Sequence, residues 1–182
     1  IHWLATSNYD LTFEPESSVS ERVIFPESPN DSRGMEDARF VRFVADDGSV
    51  SYYATYTADD RHDILTPLIE TPDFLHVQIR TLNGAYVQNK GMALFPRKID
   101  GWYMTIARVD GEKLVLLRSD QVRFWNDATL IQQPLYPWEL CKVADTVPPS
   151  ESCSIVTNRM PAFIAPSDAA NPAGPAPTIT RS

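Results

Sequence analysis

The fold is decided by the stretch Ser32-Arg33-Gly34-Met35-Glu36-Asp37-Ala38-Arg39-Phe40-Val41-Arg42-Phe43. Two adjacent carboxylates, Glu36 and Asp37, stand here between Arg33 and Arg39. A carboxylic acid placed beside cationic groups is a candidate general acid or a neighbour of a phosphate site. The alternative is a solvated turn whose surface ion pairs contribute little to stability.

The residues on both sides of these charges predict a turn followed by a strand. Gly34 allows the backbone to turn tightly where a side chain would obstruct it. Residues 40–44 then alternate in side-chain character, as a β-strand does. We therefore expect the paired carboxylates to lie at the start of a strand.

The composition of the chain excludes some classes of protein. It has 182 residues, an apolar fraction of 43% and a formal net charge of −8. An acidic chain lacks the basic surface that nucleic acids or anionic membranes require, so neither is an expected partner. We find no apolar run long enough to span a bilayer and no signal peptide, and expect a cytoplasmic protein.

Cys141 and Cys153 have no His or Cys partners at the spacing of a zinc site. The sequence therefore predicts no metal site and leaves a disulfide open.

Up to residue 140 the chain reads as short strands separated by turns, without helical periodicity. Hairpin turns are predicted at Asp47-Gly48, Asp100-Gly101 and Asp110-Gly111. The predicted strands cover residues 40–44, 51–57, 75–81, 92–95, 102–108, 113–117 and 121–125.

Two segments, 42–77 and 94–125, resemble each other, and their alignment matches Tyr53 with Tyr103. Each closes with a Ser or Thr, an Asp and an aromatic residue, and residues 5–13 carry a third copy of that closing unit. Repeats of antiparallel strands at this length are typical of β-propeller blades, with a β-sandwich as the competing fold. From residue 141 to 182, frequent Pro with Ala, Ser and Thr predicts a disordered, low-complexity tail.

Three groups of residues resemble glycoside hydrolase family 130, the β-mannoside phosphorylases and related β-mannosidases. They are Gly34-Met35-Glu36-Asp37-Ala38-Arg39, Tyr53-Ala54-Thr55-Tyr56-Thr57 and Asn89-Lys90-Gly91-Met92-Ala93-Leu94-Phe95-Pro96. The similarity continues to about Leu140. It implies part of a five-bladed β-propeller, with about two to three blades in residues 1–140. On this interpretation the chain is a fragment and is itself inactive.

The resemblance also implies roles for particular residues. Asp37 resembles the family's proton donor, which protonates the glycosidic oxygen through a mannose hydroxyl while phosphate attacks from the opposite face. Glu36, a like charge, would raise the pKa of that acid, whereas Arg39 and Arg33 would lower it, so the net direction stays open. The phosphate- and substrate-binding candidates are Glu36, Arg39, Asn89, Lys90, Tyr103 and Arg108.

The resulting functional prediction is inverting phosphorolysis of β-linked mannosides to mannose 1-phosphate. One alternative is an inverting β-mannosidase that uses water, and another is an inactive or carbohydrate-binding propeller fragment. We expect an oligosaccharide substrate, no metal and no cofactor, with inorganic phosphate as co-substrate of a phosphorylase. A homo-oligomer stays open for the intact enzyme.

Overall fold

The chain is all-β in the part that its structure, a computed structural model, describes: residues 7–59, 64–88, 91–110 and 112–135. Within these ranges no helix is long and apolar enough to cross a lipid bilayer. Asn89, Lys90, both cysteines and the predicted tail from residue 141 lie outside the described residues. The named elements are two 3-10 helices, Val19–Glu21 and Pro29–Asp31, and the strands β1 (Tyr9–Thr12), β2 (Met35–Val44), β3 (Val50–Asp59), β4 (Ile64–Leu65), β5 (Pro67–Thr71), β6 (His76–Thr81), β7 (Ala93–Leu94), β8 (Tyr103–Ala107), β9 (Leu114–Ser119) and β10 (Asp127–Gln132).

The strands form two antiparallel sheets. In the first sheet the order is β1-β6-β5-β3-β2, with β4 also paired to β3, and in the second it is β10-β9-β8-β7. From β2 to β6, and again from β7 to β10, the chain runs as a meander in which neighbouring strands are joined by short connections. Meandering sheets of this kind are the unit of a β-propeller, so the all-β prediction is confirmed.

Residues 5–13 were expected to carry a third copy of the closing unit, and the described ones among them, 7–13, do not begin a sheet of their own. Their described part contains β1, which pairs antiparallel with β6, Tyr9 opposite Ile79. The first sheet thus gains an extra outer strand, and the described residues amount to two blades.

Apolar side chains hold the two sheets together. The shared core contains Val41, Phe43, Tyr53 and Leu68 from the first sheet, Leu94, Ala107 and Leu117 from the second, and Trp125 from the loop before β10. Ala54, Tyr56, Ile69 and Val77 face the other way, and Phe13, Ile24 and Met35 pack against them. The segment between β1 and β2 therefore helps to cover the outer face of the first sheet.

The repeat alignment that matched Tyr53 with Tyr103 is wrong by one residue. Both side chains belong to the core between the sheets, Tyr53 from the first sheet and Tyr103 from the second. Blades related by rotation turn equivalent residues in the same direction. The residue equivalent to Tyr53 must therefore face away from the first sheet, as Met104 does and Tyr103 does not. Side chains alternate along a strand, so a slip of one residue exchanges the two faces.

The predicted strand at residues 121–125 is also wrong, because these residues serve as a docking loop between the sheets. The Asn83 amide donates to the Arg123 carbonyl at 2.9 Å, and the Trp125 amide donates to the Asn83 carbonyl at 2.8 Å. The chain that leaves the first sheet is thereby fixed to the second. The fourth strand of the second sheet is β10 instead.

Candidate functional site

The predicted proton donor, Asp37, lies at a β-bulge. In the β2–β3 pairing, Glu36 is opposite Thr57 and Arg39 is opposite Thr55, so two residues of β2 face Tyr56 alone. Asp37 takes a left-handed backbone conformation with φ 53° and is exposed. Bulges and left-handed residues redirect side chains and are frequent beside active sites.

The bulge places Glu36 and Arg39 on the same face of the sheet. Without it, residues three apart on a strand would lie on opposite faces. Thr55, the cross-strand partner of Arg39, faces the second sheet, because its hydroxyl donates to the Met92 carbonyl at 2.5 Å. Cross-strand partners share a face, so Glu36 and Arg39 both flank the side turned toward the second sheet.

The second sheet brings Arg108 to the same end of the structure. β8 ends at Ala107, and its pairing with β7 sets Ile106 opposite Ala93. The end of β8 therefore lies beside Met92, the residue whose carbonyl Thr55 binds. Arg108, which directly follows β8, is buried. The starts of β2 and β7 and the ends of β3 and β8 thus define one end of the two sheets, called here the candidate site end.

Tyr103, expected among the substrate-binding residues, lies at the opposite end. Its ring stacks on Phe43 with centroids 5.4 Å apart, and the Lys98 Nζ lies 4.7 Å from its centroid. Phe43 follows Asp37 by six positions in β2, roughly 20 Å along an extended strand. The structure therefore does not bring Tyr103 to Asp37 and gives it a place in the core.

Asn89 and Lys90 lie outside the described residues, and their expected roles stay predictions. Among the described residues there is no group of three or more His, Cys, Asp or Glu side chains that could hold a metal ion.

Asp31, six residues before Asp37, is a buried carboxylate that the sequence did not single out. It accepts hydrogen bonds from the Tyr9 hydroxyl at 3.2 Å, the Ser28 hydroxyl at 3.0 Å and the Tyr56 hydroxyl at 3.0 Å. Burial and the adjacent carboxylate raise the pKa of both phenols, so they remain protonated donors. The two tyrosines are 22 and 25 positions away in sequence, so no local pattern could have revealed this cluster.

A scan against protein-family models and a search of curated proteins find no match. Solved structures similar to this chain include a β-1,2-mannobiose phosphorylase from Listeria innocua in complex with β-1,2-mannobiose, at 21% identity and a TM-score of 0.49, covering 62% of this chain and 31% of that one. A candidate glycoside hydrolase from Bacteroides ovatus has 18% identity and a TM-score of 0.47, covering 58% and 37% of the two chains. Another from Parabacteroides distasonis has 17% identity and a TM-score of 0.48, covering 59% and 36%.

The chain spans about a third of the length of these solved structures, between 31% and 37%. With TM-scores below 0.5, these likenesses assign no function by themselves.

Proposed function

We propose that this chain carries part of the active site of an enzyme that cleaves β-linked mannosides by inverting phosphorolysis, with Asp37 as the proton donor. The observation that carries the proposal is the exposed Asp37 carboxyl, held at a bulge in a left-handed conformation. Such a conformation persists only where the surrounding structure enforces it, and it is concentrated at functional sites. Together with the motif around Gly34–Arg39, it supports a chemical role for this carboxyl.

In the proposed reaction Asp37 gives its proton toward the oxygen of the glycosidic bond, by way of a hydroxyl of the bound mannose. The bond between that oxygen and the anomeric carbon breaks, and the leaving sugar departs with the proton. A phosphate oxygen attacks the anomeric carbon from the opposite face, which gives mannose 1-phosphate with inverted configuration. General acid catalysis of this kind typically contributes ~10²–10⁴-fold to the rate.

The phosphate in this proposal needs cationic partners. Arg39 and Arg108 both lie at the candidate site end, Arg39 half-buried and Arg108 buried. A guanidinium offers paired donors that match the oxygens of a phosphate. Lys90 is proposed as a further cation, because its Asn89-Lys90-Gly91 motif closely precedes β7, which begins at the candidate site end.

The proposal is tested with the complete translation product of the gene, incubated with β-1,2-mannobiose and other β-mannosides, with and without inorganic phosphate. Mannose 1-phosphate formed only when phosphate is present is the expected result. Free mannose released at the same rate without phosphate would contradict phosphorolysis and favour the hydrolytic alternative. No cleavage of any β-mannoside would overturn the proposed function altogether.

A substitution at Lys90 tests the phosphate site separately. We expect Lys90→Ala to raise the KM for phosphate at least tenfold, because a cation contact to a dianion is lost, and to change the KM for the sugar much less. Lys98→Ala is the matched control, since Lys98 lies over Tyr103 at the other end of the sheets. Equal effects of Lys90→Ala on both KM values would make Lys90 a structural residue.

A further inference from the structure

The Asp31 carboxylate is fully buried, with 0% of the residue exposed. A buried carboxylate is costly unless hydrogen bonds replace the water it has lost. The hydroxyls of Tyr9, Ser28 and Tyr56 do this, and they come from three separate parts of the chain. Asp31 thus connects β1 and β3 to the 3-10 helix that precedes β2, and it is not a surface charge.

One of these three donors leads directly to the bulge. Tyr56 is the residue of β3 that faces Asp37 and Ala38, because its neighbours Thr55 and Thr57 pair with Arg39 and Glu36. Its hydroxyl donates to Asp31 Oδ1 at 3.0 Å. Asp31 therefore holds the side chain that lies directly across from the two unpaired residues of β2.

Asp31 also holds the turn that enters β2. The Gly34 amide donates to the Asp31 carbonyl at 2.8 Å, and the Arg33 amide donates to the Asp59 carbonyl at 2.9 Å. These bonds fix the chain three residues before Asp37. The bulge is consequently fixed on both sides, by the turn before it and by Tyr56 across from it.

We infer that Asp31 is a positioning residue that maintains the β-bulge and so sets the direction of the Asp37 carboxyl. A bulge leaves its extra residue outside the regular ladder, so its geometry depends on the contacts around it. The inference deepens the proposed function, since a catalytic effect of Asp31 rests on Asp37 being the proton donor. Its structural part, the link between Asp31 and the bulge, stands without that role.

Two tyrosine variants separate this positioning role from general support of the fold. Tyr56→Phe and Tyr9→Phe each remove one hydroxyl from the same carboxylate, but only Tyr56 faces the bulge, whereas Tyr9 lies in the outer strand β1. Both changes keep the aromatic ring and its packing. Tyr9→Phe is therefore the matched control, and these mild substitutions avoid the unfolding that Asp31→Ala could cause.

The first measurement is amide hydrogen exchange on the complete translation product, which requires no activity. We expect Tyr56→Phe to speed exchange in residues 35–39 by about tenfold, the scale of one hydrogen bond to a charged group. Tyr9→Phe should leave residues 35–39 unchanged and affect β1. Unchanged exchange in residues 35–39 for Tyr56→Phe, or the same increase in both variants, would overturn the inference.

The second measurement is steady-state kinetics with a β-mannoside and phosphate. We expect Tyr56→Phe to lower kcat about tenfold, with KM within about twofold, and Tyr9→Phe to keep the wild-type kcat. In an Asp37→Asn background, Tyr56→Phe should cost nothing further, because its effect passes through Asp37. An equal loss in both backgrounds would contradict the positioning role. Full activity of Asp37→Asn would contradict the proposed function and leave the exchange result to decide on the bulge.

Discussion

At the scale of single residues, the backbone of Asp37 is the feature that most needs an explanation. It is one of three non-glycine residues with positive φ in the described part of the chain, together with Phe74 and Asp100. Asp and Asn adopt this conformation more readily than other residues with a side chain, because their short polar side chains can hydrogen-bond locally. An Asp at this position therefore tolerates the left-handed conformation of the bulge and also supplies the carboxyl group of the proposed reaction.

The left-handed conformation gives a stability order that can be measured. We expect Asp37→Gly to be more stable than Asp37→Ala by about 1 kcal/mol in free energy of unfolding, because glycine tolerates positive φ without a Cβ clash. The neighbouring Glu36 has no positive φ and is the matched control. There, Glu36→Gly should be less stable than Glu36→Ala, as is normal for a strand. Denaturant unfolding of the four variants gives the comparison, and the same order at both positions would contradict a bulge at Asp37.

The sequence identified the acidic pair and Arg39 because these residues are contiguous and precede a recognisable strand. It could not identify Asp31, whose partners Tyr9 and Tyr56 meet it only in the folded chain. It also could not separate Tyr103 from Asp37, because a motif does not show at which end of a sheet its residues lie. The sequence showed which neighbouring residues carry acidic and basic groups. Only the folded structure shows where these groups lie within the two sheets.

At the scale of elements, two of the three predicted hairpin turns are confirmed, and Gly111 of the third lies outside the described residues. Asp100 and Gly101 both have positive φ, 50° and 80°, as the two central residues of a type I′ turn require. Asp47-Gly48 also forms a turn, in which the Gly48 amide donates to the Ala45 carbonyl at 2.9 Å. Asp-Gly pairs are strong signals because their backbone preference alone determines the turn.

Four strands, β1, β4, β5 and β10, lie outside the predicted ones, and for two of them the physical reason is clear. β5 begins with Pro67, and a proline normally argues against a strand in sequence-based prediction because it has no backbone N–H to donate. β10 lies at the edge of its sheet, and its residues are exposed or half-buried, so it lacks the apolar alternation that marks a strand. Residues 121–125 were predicted as a strand because they contain Val, Phe and Trp, but their partners are residues 83–86 of the connecting segment.

The contact between β3 and the start of β7 yields a prediction at this scale. Thr55→Val removes the hydroxyl that donates to the Met92 carbonyl and leaves that buried carbonyl without this donor. We expect a loss of ~1–3 kcal/mol in free energy of unfolding. Thr105→Val is the control, because Thr105 is also buried and its hydroxyl makes a long 3.4 Å contact with the neighbouring Ile106 carbonyl. Equal losses in the two variants would show that the Thr55 bond does not join the sheets.

At the scale of the whole molecule, the packing of the two sheets determines the candidate site, because it brings Arg108 to the end where Asp37 lies. The sequence predicted repeating blades and an all-β fold, since strand patterns and turns recur along the chain. It did not predict which face of each strand meets the neighbouring sheet, because the alignment of the repeats slipped by one residue between Tyr53 and Tyr103. Only the packed structure determines that register.

Gly84 tests the docking loop at residues 121–125, because it lies against the backbone of Trp125 in that loop. A Cβ at Gly84 would overlap the Trp125 backbone, whereas a Cβ at Gly48 would meet nothing within 4 Å. Both glycines have positive φ, so an alanine at either costs about 1–2 kcal/mol in backbone strain. We expect Gly84→Ala to lose a further ~1–3 kcal/mol through overpacking. Thermal or denaturant unfolding of both variants measures the difference, and equal losses would contradict the close contact between the connecting segment and the docking loop.

The most direct test of the central claim is the turnover of Asp37→Asn on an unactivated β-mannoside with inorganic phosphate. Asparagine tolerates the left-handed conformation, so the bulge is kept while the proton is lost. Asp127→Asn is the control, because Asp127 pairs with Arg118 on the second sheet and is remote from the bulge in β2. The account predicts that kcat of Asp37→Asn falls by ~10²–10⁴-fold and that Asp127→Asn stays near wild type. Near-normal turnover by Asp37→Asn would contradict it.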